Sequence, residues 1–107
     1  MICTKAREGI TADGISLAVG DRVIATASDY AGLKGYIFEI RTGADKDTEN
    51  VTDDVYCSFD VPDNEKEIKL LEEHFSDLYG EKKTIDDLPL DLVIMAPEEL
   101  RRIGEDE

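Results

Sequence analysis

The chain has 107 residues and a mass of 11.9 kDa, which is room for one domain and not for two. A hydrophobic share of 41% supports a packed core and argues against wholesale disorder. Twelve basic against 26 acidic side chains give a net charge of −14, which argues against a conventional nucleic-acid binder and against docking on an anionic membrane.

Met1-Ile2-Cys3-Thr4-Lys5-Ala6-Arg7 contains no apolar stretch of signal-peptide length. No window approaches the roughly 20 apolar residues of a membrane helix, so the cytoplasm is the expected location. Residues 1–13 show little periodicity and are expected to form a flexible lead-in, with a single domain over residues 14–107. Ile15, Leu17 and Val19 alternate with small or polar residues, Gly20-Asp21 marks a turn, and residues 22–26 form a β-type run. Together they read as an approach and a first strand. A loop over residues 27–32 leads to a second strand over 34–40. There Ile37 and Ile40 are three apart, and a bulge near Phe38-Glu39 would let both face one core.

Residues 41–54 are polar and acidic and read as a long hairpin connection. The clearest strand follows, with Val55, Cys57, Phe59 and Val61 on one face and Tyr56, Ser58 and Asp60 on the other. Pro62 ends it. Asp63 or Asn64 caps a helix expected over about 63–80, with Glu67 placed for a capping box and Gly80 as the stop. Its stripe of Ile68, Leu71, Phe75 and Leu78 reads as core rather than as a partner groove. Residues 90–96 read as a buried last strand. Pro97 then opens a short C-terminal helix, with Glu98 and Glu99 early and Arg101 and Arg102 late. The fold class is therefore mainly β (α+β), with one helix inserted before the last strand.

Gly20-Asp21-Arg22-Val23-Ile24-Ala25-Thr26, followed by Gly32-Leu33-Lys34-Gly35-Tyr36-Ile37-Phe38-Glu39-Ile40, resembles the KOW motif. That motif recurs in ribosomal proteins and transcription elongation factors, inside SH3-like barrels. The resemblance implies a small SH3-like barrel and carries little about function, because such barrels host many unrelated roles. Ribosomal KOW proteins are typically basic and bring Lys and Arg to RNA. Here the corresponding loop contributes Asp45, Asp47, Glu49, Asp53 and Asp54, so no RNA-binding residue carries over. The chain is also similar to small acidic bacterial proteins that pair such a barrel with a following helix.

The charge is unevenly placed: residues 1–41 hold five bases and five acids, and residues 42–107 hold seven bases and 21 acids. This reads either as a solvated surface or as a face that steers a basic partner. Cys57 lies on the apolar parity of its strand among acids and reads as a buried small hydrophobe. His74 is the only histidine, and no nucleophile pattern accompanies it. The run Asp45-Lys46-Asp47-Thr48-Glu49-Asn50 departs from a calcium loop: its sixth residue is Asn50 and its twelfth Tyr56. The pairs Asp53-Asp54 and Asp86-Asp87 lack any sequence sign of a pocket.

No catalytic residue, metal site or cofactor is expected. Tyr36 and Tyr56 lie off their strands' core parity, and Tyr30 sits in the loop before Gly32. These tyrosines would anchor a protein contact if exposed, or pack beneath the helix if covered. The leading expectation is a non-enzymatic interaction or accessory module. It would bind an unknown, possibly basic, protein through Tyr30, Tyr36, Tyr56, Asp45, Asp47, Glu49, Asp53 and Asp54. One alternative is RNA, ribosome or polymerase contact through Arg22, Lys34 and Arg41; another is an acidic DNA mimic. Oligomeric state is not legible.

Overall fold

The computed structural model describes residues 1–12, 14–49 and 52–104. In chain order the described residues form the strands β1 (Ile2–Cys3), β2 (Gly9–Ala12), β3 (Ile15–Ala18), β4 (Arg22–Ala25), β5 (Lys34–Arg41) and β6 (Asp54–Phe59). The helix α1 (Glu65–Tyr79) follows, then β7 (Val93–Met95) and β8 (Leu100–Arg102). The main sheet runs β7-β6-β5-β4-β8, with β1 added to the far end of β5, and β2 and β3 form a separate hairpin. Every ladder is antiparallel. The molecule is a small compact α+β domain, mostly antiparallel sheet with one helix.

β5 is the centre of this arrangement because it alone bonds to β1, β4 and β6. Its register on β6 shifts between Ile37 and Glu39: Ile37 faces Cys57, and Glu39 faces Tyr56. Phe38 is the extra residue. The bulge turns the strand so that Ile37 and Ile40 are both fully buried, as their spacing implied. They meet Val23, Val55 and Cys57, each also without exposed surface, and Leu17, Leu33, Phe59, Val93 and Leu100 complete the core.

The two ends of the sheet are close together in the chain. Its edge strands β7 and β8 are the two ends of the path, yet only residues 96–99 separate them in the chain. So short a link holds the edges near one another. Two contacts bridge that region: Thr26 N–H donates to the Glu99 carbonyl at 2.8 Å, and Ser28 Oγ donates to Met95 Sδ at 4.0 Å. Among the described residues no ladder joins β7 to β8, so the sheet is not closed.

α1 starts and stops where its signals lie. The Asn64 side chain accepts from the Lys66 N–H at 2.7 Å, and Gly80 takes the left-handed conformation with φ +70°. The helix seats on the sheet through one fully buried side chain, Phe75. Ile68 and Leu71 are half-buried, but Leu78 is 51% exposed, so the stripe read as core reaches the sheet only over its middle.

Two other expectations need correction. Residues 97–102 are not a short helix: Pro97–Glu99 is a single 3₁₀ turn, and β8 then pairs with β4, placing Leu100 opposite Ala25. The open edge of β4 satisfies the backbone of this segment and buries Leu100, which outweighs the charge pattern of a lone helical turn. Within residues 1–12, read as part of a flexible lead-in, β1 and β2 form and Cys3 is buried. Strands of two and four residues are too brief to announce themselves by alternation. The last-strand region contains only the three residues of β7, because Leu92 turns outward just before it.

Gly35 marks a close approach of two strands. A Cβ there would lie within van der Waals radius of the Ser58 carbonyl oxygen and 2.7 Å from the Phe59 Cα. Neither backbone atom can yield without moving β6. Gly35→Ala is therefore expected to destabilise the domain by about 3 kcal/mol, read as a lowered urea midpoint; an unchanged midpoint would contradict this packing.

Candidate functional site

The acidic connection between β5 and β6 folds back on itself. Asp54 has no exposed surface and accepts from the N–H groups of Asp47 at 2.7 Å and Thr48 at 2.9 Å, and from the Thr48 hydroxyl. Burial alone would raise its pKa, but these hydrogen bonds outweigh it and hold the carboxyl below its ordinary value. Asp47 accepts from Arg41 Nη1 at 3.0 Å and from the Tyr56 hydroxyl. Arg41 also donates to Glu39, and its guanidinium lies 5.2 Å from the centre of the Tyr56 ring. Burial, then the hydrogen bond to Asp47, pushes the Tyr56 phenol up to about 12.

This network redistributes the candidate residues. Tyr56 is only 5% exposed, so it anchors the acidic connection and offers no contact surface; Arg41 and Asp47 cover it rather than the helix. Asp54 is interior for the same reason. Asp45 meets the Met1 ammonium at 2.5 Å, Glu49 is exposed, Asp53 is half-buried, and Asn50 lies outside the described residues. Tyr36 does project outward and is 43% exposed, opposite Arg22 on β4 and Ser58 on β6. By register it shares the outer face with Tyr56, since its partner Ser58 lies two residues along β6 from Tyr56, but only Tyr36 is open to solvent.

Tyr30 has a packing role. It stacks on Phe59 with ring centres 5.9 Å apart and tilts against Phe75 at 5.4 Å. Tyr79 stacks on the other side of Phe75 at 6.2 Å. This aromatic run fastens α1 to the end of the sheet. The alternative cationic set is divided: Arg41 is engaged as above, Arg22 pairs with Asp60 at 3.0 Å, and Lys34 is exposed.

The feature that sequence reasoning missed lies between α1 and the loop over residues 27–33. A hollow of about 390 Å³ is lined there by Leu33, Pro62, Leu70 and Leu71, with Asp29 and Glu67 among its polar lining. His74 Nε2 lies 3.0 Å from Asp29 Oδ1 at this hollow, with the imidazole edge-on to Phe75. Leu70 is 58% exposed. The available signal was the Leu70-Leu71 pair: adjacent helical residues diverge by about 100°, so both cannot sit against one sheet.

The thiols are muted. Burial pushes Cys57 up to about 12 and, with Glu8 nearby, raises Cys3 as well. Among the described residues, no three His, Cys, Asp or Glu side chains converge as metal ligands would. No helix of the described residues is long and apolar enough to cross a membrane. No protein-family model, no curated protein and no solved structure matches the chain.

Asp54 stabilises the fold in a pH-dependent way. Its folded-state pKa lies below the ordinary 3.8, so its contribution is present above that value and is lost as pH falls through the lower folded-state value. Asp54→Asn puts an amide donor against N–H donors and is expected to cost about 2 kcal/mol at pH 7. It should also flatten the acid limb of the stability curve. Urea melts at pH 7 and pH 3 measure both, and equal acid sensitivity in the two proteins would contradict the assignment.

Proposed function

We propose that the chain is a non-enzymatic, cytoplasmic protein-binding module. It would be a small SH3-like barrel whose contact surface is the hollow between α1 and the loop over 27–33. The barrel reading rests on the one short link that joins the edges β7 and β8. The observation that carries the function is the placement of Leu70. It stands exposed at the rim of a concave apolar surface made by Leu33, Pro62 and Leu71. Exposed apolar side chains grouped in a concavity with polar edges are the usual form of a protein contact.

The charges fit a basic partner. Asp29 and Glu67 lie in the hollow, and the whole chain carries −14. Such a field speeds the approach of a cationic segment. Nucleic acid is the weaker reading, because Arg22 and Arg41 are already paired with carboxylates of the same chain. Mimicry of DNA is weaker too, since Asp54 is enclosed and Asp47 is tied to Arg41 and Tyr56.

Selection of displayed peptides on the immobilised protein tests this. Enriched sequences should place Lys or Arg near an aliphatic or aromatic residue. Leu70→Asp should weaken them about tenfold, which corresponds to roughly 1.4 kcal/mol. Because Leu70 is exposed, the same variant should melt within about 0.5 kcal/mol of the parent. Selection that enriches nothing, or peptides that bind the variant equally, would overturn the proposal; retention of RNA at moderate salt would favour the nucleic-acid reading instead.

A further inference from the structure

The hollow beside Leu70 does not end at the loop. A second hollow of about 420 Å³ shares Gly32, Leu33, Pro62 and Glu67 with it, so the two form one continuous cleft. The extension runs along the start of β5 and reaches Arg22 and Lys34. The two ends differ in charge. At the first, Asp29 pairs with His74 at 3.0 Å, with both side chains about half exposed. In the extension, Arg22 is neutralised by Asp60, and Asp63 and Glu67 lie on the helix side. Lys34 lies on the sheet side, with no carboxylate of the described residues within ion-pair distance. Leu70 and Leu71 line the first hollow, Lys34 lines the second, and Leu33 is common to both.

We infer that the cleft takes an extended peptide segment of a partner protein. An apolar side chain sits against Leu70 and Leu71, a basic residue on one side of it pairs with Asp29, and an acidic residue on the other side pairs with Lys34. This rests on the proposed protein-binding function and adds the charge order of the ligand. The basic residue takes the place of the His74 imidazole at Asp29 and gives that carboxylate a Lys or Arg partner. The acidic residue gives Lys34 a carboxylate partner. A second copy of this chain is the less suitable occupant, since each copy carries −14 and the two would repel.

Fluorescence polarisation with short labelled peptides decides the matter. The probe peptide carries one Leu flanked by Lys and Glu, in both chain orders, and the controls replace either charge with Gln. In the better order the full peptide should bind about fivefold tighter than the Glu→Gln control, the scale of one exposed ion pair. Lys34→Glu should abolish that advantage and leave the Lys-bearing control at least as tight. Asp29→Asn should remove the preference for Lys.

Equal binding of full and control peptides, or an unchanged ratio in Lys34→Glu, would overturn the charge order. The protein-binding reading would then still stand, provided Leu70→Asp continued to weaken every peptide. Failure of all peptides to bind would remove both. Sedimentation showing self-association that Leu70→Asp abolishes would identify a second copy as the occupant and overturn the inference.

Discussion

The structure depends on the change of face halfway along β5. Before the bulge the strand turns Lys34 and Tyr36 to solvent and Ile37 inward. After it, Ile40 points inward, and Glu39 and Arg41 lie on the face that carries Tyr56. A strictly alternating strand would have driven Ile37 and Ile40 to opposite sides and left one of them in water. The same irregularity increases local twist, and a sheet of short strands needs such twist to curl around a core this small. It also decides where the acidic connection lands, because Arg41 emerges where it reaches both Asp47 and Tyr56.

The acidity of the chain is therefore not uniform in its effect. Part of it is structural: Asp54 gathers the N–H groups of a connection that has no ladder of its own, and Asp47 ties that connection to β5 and β6. Buried donors need an acceptor, and an enclosed carboxylate satisfies three at once. Other carboxylates stay on the surface, where they set the field around the molecule rather than the shape of it.

Much of this was legible beforehand. The spacing of Ile37 and Ile40 announced the bulge, the alternation from Val55 to Phe59 announced β6, and Asn64 and Gly80 marked the ends of α1. The misreadings share a cause. β1, β2 and β8 are two to four residues long, and their pairing is set by a partner edge that no local pattern records. Parity left the exposure of Tyr56 open and placed Asp54 among the contact groups, because it shows which way a side chain points and not what later folds over it. The cleft escaped for a similar reason: it is made jointly by a loop and a helix some 40 residues apart.

The attachment of α1 has a dynamic consequence. A helix with one fully buried side chain, Phe75, and with Leu70, Leu78 and Tyr79 largely exposed, is held on one side only along its middle. Such sparse burial makes partial detachment of the helix an accessible excursion for this fold. Its amides should exchange with deuterium ahead of those in β5 and β6, and the cleft wall it provides would breathe on that timescale. An occupant that bridged both walls would clamp the motion, so a loosely held element of the free molecule would become one of its better-protected parts.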